Sequence, residues 1–115
     1  MPYKVHFSPQ FNRDLVEIWN YISVEYKDPE LADQITDGLI TESEALEVFP
    51  MRGSKVLLPT GMDTGYRFVM FKGYLSLYRI QGEEVYIARA VHEKQDYLRF
   101  LIPGFRRKES FIDDE

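Results

Sequence analysis

Between Tyr78 and Tyr97 the chain reads YRIQGEEVYIARAVHEKQDY, a stretch that holds Arg79, Arg89, His92, Lys94 and Tyr97. Arginine and lysine bind phosphates, and histidine, lysine and tyrosine transfer protons. The set therefore has the residue types that metal-free cleavage of RNA requires, and Arg67 in the preceding YRFVMF adds another cation. Side chains of the same types at the edge of a sheet can equally grip another protein.

Each residue also has a plainer use. A strand arginine commonly lies across its sheet or pairs with a carboxylate, and Glu83, Glu84 and Asp96 are close in sequence. Arg89 sits deep in the apolar run VYIARAV, where a charge needs a partner. A histidine that ends a strand, as His92 would, is commonly a hydrogen-bonded terminus, and Tyr97 suits the core or rim of a closing helix. The other histidine, His6, is far away in sequence, two such histidines make a weak metal signal, and the chain has no cysteine. No metal site or cofactor is expected. There is no glycine-rich phosphate loop and no G-x-S-x-G elbow.

The elements that would position these residues are legible. YKVHFS (Tyr3–Ser8) alternates and reads as an opening strand. Ser8-Pro9 is a helix start, and Phe11, Leu15, Ile18, Ile22 and Tyr26 recur at helical spacing, predicting a helix from Pro9 to about Tyr26. Asp28-Pro29 repeats the signal, and a second helix is expected to run from Pro29 to about Val48, antiparallel to the first. Phe49–Gly65 is rich in turn formers and reads as a loop, with an extended piece at Lys55–Leu58. Strands Tyr66–Phe71, Tyr74–Ile80 and Val85–Val91 follow, joined at Lys72-Gly73 and Gln81-Gly82-Glu83. Glu93–Ile102 predicts a short closing helix ended by Pro103-Gly104.

The expected fold class is thus α+β, β-α-α-β-β-β(-α): a helical hairpin packed on one face of a small, mainly antiparallel sheet, the other face partly open. The first strand is expected to insert beside the last three. Strict alternation puts Leu75, Leu77 and Arg79 on one face and Tyr74, Ser76 and Tyr78 on the other. On the last strand it puts Arg89 with Val85 and Ile87, and His92 with Tyr86, Ala88 and Ala90. Arg67, Arg79 and Arg89 would converge only if their strand registers agree.

A chain of 115 residues is long enough for one core, and 44% hydrophobic with 29% charged residues argues against disorder. No apolar run approaches a membrane span, and MPYKVHFSP lacks a signal peptide's apolar segment, so a cytoplasmic protein without membrane contact is expected. The net charge of −5 hides an asymmetry. Residues 1–64 hold 5 Lys/Arg against 11 Asp/Glu, residues 65–108 hold 9 against 4, and the tail ESFIDDE adds four acidic groups. The basic half suits a phosphate or an acidic partner, while the net negative sign disfavours indiscriminate nucleic-acid binding.

With these elements in order, the chain resembles the RelE/ParE superfamily of toxins from bacterial type II toxin–antitoxin systems. The resemblance runs from Tyr3 to about Leu101. It is carried by YKVHFSPQFNRDLVEIWNYI, by FP closing the hairpin, and by GYLSLYRIQGEEVYIARAVHEKQDY, with Asp14-Leu15, Ile18, Tyr21-Ile22, Tyr78-Arg79-Ile80, Arg89, His92 and Asp96 at the ParE-like positions. It implies a toxin domain over 1–104, a mobile charged tail over 105–115, and a hetero-oligomer with a cognate antitoxin. It also implies one of two targets. ParE-type members poison DNA gyrase, whereas RelE-type members cut mRNA in the ribosomal A site. RelE-type enzymes carry an arginine in the middle strand where this chain has Leu75, and a leucine cannot stabilise a phosphorane. The ParE-like action is therefore the expected one, with Arg79, Arg89, His92, Lys94 and Tyr97 contacting the partner. An mRNA endonuclease using Arg67, Arg79, Arg89, His92 and Tyr97 is the alternative, and a degenerate member serving only as a binding partner is the third.

Overall fold

Ser8 and Pro9 set the first helix in place. The Ser8 hydroxyl accepts the Phe11 amide at 2.9 Å, and Pro9 fills the first helical position, where a missing N–H leaves nothing unpaired. In a computed structural model, which describes residues 2–102, α1 spans Pro9–Glu25. Asp28 caps α2 (Pro29–Glu44) in the same way, accepting the Leu31 amide at 3.0 Å. This second helix is shorter than its periodicity predicts. Two 3₁₀ turns, Ala45–Glu47 and Pro50–Arg52, replace its last turn. Pro50 stops the helical run after Val48, because a residue before proline is pushed out of the helical region, and Phe49 has φ −125° and ψ 72°.

The strands are β1 (Lys4–Phe7), β2 (Ser54–Leu57), β3 (Asp63–Phe71), β4 (Tyr74–Gln81) and β5 (Glu84–His92). They form one sheet in the order β1-β5-β4-β3-β2, with β1 parallel to β5 and every other pair antiparallel. The extended piece in the long loop is thus a fifth strand. Asp63 begins β3 three residues before the expected Tyr66, because the Thr64 hydroxyl donates to the Val56 carbonyl at 2.6 Å and draws this segment onto β2. The β3–β4 turn is two residues, Lys72 and Gly73, both at positive φ (49° and 85°), which matches the right-handed twist of the flanking strands. The closing helix is only α3 (Leu98–Leu101); Glu93–Asp96 are turn and coil instead. The expectations for Pro103-Gly104 and for the tail over 105–115 lie outside the described residues.

Apolar side chains pack on both faces of the sheet. On one face Phe11, Leu15, Ile22, Ile35 and Leu39 of the hairpin meet Val69, Tyr78, Val85 and Ile87. On the other, Leu98 and Leu101 of α3 pack on Leu75, Leu77 and Val91, so the face expected to stay partly open is covered at one end. Tyr78 is fully buried, donates its hydroxyl to the Pro50 carbonyl at 2.7 Å and accepts the Gly53 amide at 3.0 Å. One side chain thereby ties the second 3₁₀ turn to the centre of the sheet.

The last hairpin contains a β-bulge. Tyr78 pairs with Ile87 but Leu77 pairs with Arg89, which leaves Ala88 as an extra residue. The bulge corrects the facing expected from strict alternation. Ala90 packs with the helix-side core while Ala88 and Val91 pack with the opposite one, and His92 pairs with Tyr74. His92 is therefore on the helix side with Val85 and Ile87, and not with Tyr86 and Ala88. The start of α1 satisfies the backbone here, since the Ser8 hydroxyl donates to the Ala88 carbonyl at 2.7 Å and the Ser8 amide donates to the Ile87 carbonyl at 3.0 Å.

Candidate functional site

Asp14 is a charge on the buried stripe of α1, next to Leu15 and one turn from Phe11 and Ile18. Its carboxylate accepts three hydrogen bonds, from Arg89 Nε at 2.8 Å, Arg89 Nη2 at 3.0 Å and the Ala90 amide at 2.9 Å. Two-point pairing of guanidinium with carboxylate is the strongest common form of ion pair, and the third bond holds the strand just beyond the bulge. The Arg89 pKa is raised above its ordinary value. Hydrogen bonding to Asp14 is the main cause, partial burial opposes it, and the charges of Asp14 and Glu17 add to it. The other side of the guanidinium lies 4.6 Å from the Phe100 ring centroid. The partner of Arg89 is thus none of the sequence-near carboxylates Glu83, Glu84 or Asp96, but a helix residue 75 positions away.

The pair forms the floor of a cleft of about 710 Å³ between α1 and the end of β5, walled by Glu17, Tyr21, Tyr26, Tyr74 and His92. Tyr21 and Tyr26 meet edge to face at 5.9 Å, and Tyr74 meets His92 in the same way at 5.1 Å. The Tyr74 phenol is pushed above its ordinary pKa by burial first, and then by Tyr26 and Tyr21. The Tyr21 phenol is raised chiefly by its hydrogen bond with Tyr26, with Glu25 contributing. His92 ends the strand in a small network of its own. Its amide donates to Gln95 Oε1 at 2.7 Å, and its Nδ1 accepts the Lys94 amide at 3.1 Å.

Of the residues singled out from the sequence, Arg89 and His92 come together in this cleft, and the others do not. Arg67 lies on the hairpin side of the sheet and donates to the carbonyls of Gly53 at 2.7 Å and Met51 at 3.3 Å, bracing the second 3₁₀ turn. Arg79 donates to Gln81 Oε1 at 2.6 Å and lies 4.7 Å from the Tyr86 ring centroid. Tyr97 packs half-buried against the α3 side of the sheet, and Lys94 is exposed in the turn after β5. The three arginines therefore do not converge: Arg67 is held by the second 3₁₀ turn, Arg79 by Gln81 and Tyr86, and Arg89 by Asp14.

Asp14, Glu17, Tyr21, Tyr26, Tyr74 and Phe100 were not picked out from the sequence as site residues. A signal for Asp14 was present, since an acid three residues after Phe11 and four before Ile18 lies on the apolar stripe and must find a buried cation. Nothing in the sequence joined Tyr21 and Tyr26 of the hairpin to Tyr74 of the distant strand.

The opposite face has a different arrangement. His6, Tyr86, Arg79 and Tyr66 are directly paired neighbours across β1, β5, β4 and β3. His6 stacks on Tyr86 with centroids 5.0 Å apart and 17° between the planes, and its Nε2 lies 2.6 Å from Glu84 Oε1. Among the described residues no group of three or more His, Asp or Glu side chains could hold a metal ion, and no helix is long and apolar enough to cross a membrane.

Comparison with known proteins now bears on this geometry. No curated protein matches the chain. Among solved structures it is similar to a chromosomal ParDE toxin–antitoxin system from P. aeruginosa, at 18% identity and a TM-score of 0.61, over 78% of this chain and 95% of that one. It is also similar to the RelBE2 toxin–antitoxin complex from Mycobacterium tuberculosis, at 23% identity and a TM-score of 0.58, over 80% of this chain and 99% of that one. At such identities these likenesses establish the fold, a helical hairpin on a mixed sheet. The family described as the ParE toxin of the type II toxin–antitoxin system parDE matches residues 5–97, which takes in the hairpin, the bulged strand and the cleft lining except Phe100, and the chain belongs to that family.

Proposed function

We propose that this ParE-family toxin acts by inhibiting DNA gyrase, cuts no RNA, and is neutralised by a cognate antitoxin bound to it. The observation that carries this reading is the Arg89 guanidinium, which is engaged by Asp14 on two nitrogens. A cation already paired at 2.8 and 3.0 Å has little left to offer a phosphorane. Leu75, at the position where RelE-type enzymes carry their strand arginine, is buried beneath Leu98 and Leu101. Arg67 is occupied with backbone carbonyls, and the His92 imidazole accepts a backbone amide on one nitrogen. These residues do not assemble into an acid, a base and a phosphate clamp.

Supercoiling by purified gyrase and translation in a cell-free extract separate the possibilities. Loss of supercoiling at micromolar protein, with intact message in the extract, is expected. Unimpaired supercoiling together with A-site cuts would replace this reading with the endonuclease. The row His6–Tyr86–Arg79–Tyr66 favours that second reading, because stacked rings and a guanidinium plane on a sheet surface are what unpaired bases pack against. Harmless expression without any antitoxin would instead mark a binding partner that has lost toxicity.

A further inference from the structure

The cleft between α1 and β5 contains an arginine, yet its electrostatic sign is that of a cation receptor. Asp14 and Arg89 cancel each other at the floor. Glu17 then remains on the wall, and among the described residues it enters no ion pair. The rest of the lining is mainly aromatic and apolar, with Tyr21, Tyr26, Tyr74 and Phe100 adding the negative faces of their rings. Tyr21 and Tyr26 are 53% and 61% exposed, so their adjoining rings are open to an incoming group. With Asp14 matched by Arg89, an anion would meet the uncompensated Glu17 carboxylate and the negative ring faces here, whereas a cation would be attracted by both.

From this we infer that the cleft receives an arginine side chain presented by a partner polypeptide, its guanidinium seated against Tyr21, Tyr26 and Tyr74 and paired with Glu17. The planar guanidinium suits the site better than an ammonium group, since it stacks on rings while donating sideways to a carboxylate. The protein already uses that geometry at Arg89, which lies 4.6 Å from the Phe100 centroid while donating to Asp14, and Arg79 lies 4.7 Å from the Tyr86 centroid while donating to the Gln81 amide oxygen. Exposed Phe100 at the rim, 41% accessible, offers apolar surface to the residues that flank the incoming arginine. The inference goes beyond the choice of toxin target and does not depend on it.

The test uses the full chain and blocked single amino acids as probes. N-acetyl-arginine methylamide is titrated while the tyrosine and histidine ring resonances are followed by NMR, with the uncharged citrulline analogue and the lysine analogue as controls. Saturable shifts confined to Tyr21, Tyr26, Tyr74 and His92, seen with the arginine probe and weaker or missing with the controls, are expected. Tyr26→Ala and Glu17→Gln lie on the exposed surface of the helical hairpin and should each weaken binding by about two- to fivefold, the range of an exposed cation–π contact. Equal shifts with citrulline would overturn the assignment by making the cleft an apolar groove. Equal shifts with lysine would overturn its preference for guanidinium. Shifts centred elsewhere, or variants that bind as the parent does, would remove the site. None of these results would alter a supercoiling assay, so this inference and the proposed target fail separately.

Discussion

Asp14 of α1 and Arg89 of β5, 75 residues apart in sequence, are joined by two parallel hydrogen bonds that lock the helical hairpin to the bulged edge of the last strand. Asp14 accepts the Ala90 amide as well, so its removal strands both a partly buried guanidinium and a backbone donor. Asp14→Ala should therefore cost about 3 kcal/mol of stability, the lower end for breaking a buried pair from one side. Urea unfolding of Asp14→Ala, Arg89→Ala and the double variant provides the measurement. A double variant no worse than Asp14→Ala alone is expected, and additive losses would show the pair to be uncoupled.

The pH behaviour of that pair has a definite sign. Its pairing raises the Arg89 pKa, so the contribution of Arg89 is fully present below the ordinary arginine range and is lost only as pH rises through the still higher folded value. Tyr78 behaves differently, because its folded pKa is raised above 10.0 mainly by burial. The unfolded chain ionises this phenol first, so stability is held below pH 10.0 and falls as pH rises from there through the folded pKa. Tyr78→Phe should flatten that alkaline loss. At neutral pH it should also cost about 1–3 kcal/mol, because the Pro50 carbonyl and Gly53 amide lose their partner. Unfolding curves at pH 7 and pH 11 for both proteins would show it.

Gly38 lies inside α2, where alanine would normally gain about 1 kcal/mol. A Cβ there would run into the Phe71 ring of β3, so that ring, packed over Gly38, leaves no room for a side chain unless it moves. Gly38→Ala should destabilise by roughly 1–3 kcal/mol as Phe71 is displaced. In a Phe71→Ala background the same change should become neutral or favourable. If Gly38→Ala stabilises the parent protein, the close approach is not a constraint on the fold.

Leu98 and Leu101 are buried on Leu75, Leu77 and Val91, so α3 belongs to the core despite its length of four residues. Truncating either leucine to alanine should cost about 2–4 kcal/mol by thermal or urea unfolding. Leu75→Arg, which would supply the nuclease-type residue, should unfold the domain instead of conferring RNA cleavage, since it buries an unpaired charge. A folded Leu75→Arg protein that cuts message would contradict both the packing and the proposed action.

The fold is largely legible in the residue order. Ser8-Pro9 and Asp28-Pro29 each start a helix here for a local reason, because the capping oxygen and the fixed proline φ act within a few residues. Lys72-Gly73 makes its tight turn for a similarly local reason. The errors arose where distant segments compete with local preference. Asp63–Gly65 became strand because β2 was there to pair with it, and the closing helix was reduced to Leu98–Leu101. The end of α2 is an exception, since Pro50 was visible and its effect on Phe49 is local.

The candidate site divides along the same line. Residue order alone marked Arg89 and His92 as candidates and carried the family resemblance, because motif spacing and amphipathic periodicity are properties of one segment at a time. It could not say that Arg89 belongs to Asp14, or that His92 turns towards Tyr74. Those outcomes depend on the extra residue at Ala88, and a bulge exists only relative to the partner strand, where two residues stand opposite one. Local chemistry therefore determined which elements form and which side chains are available. Tertiary packing decided that the arginine is paired, that the three arginines stay apart, and that a helix–sheet cleft lined by tyrosines carries a negative sign.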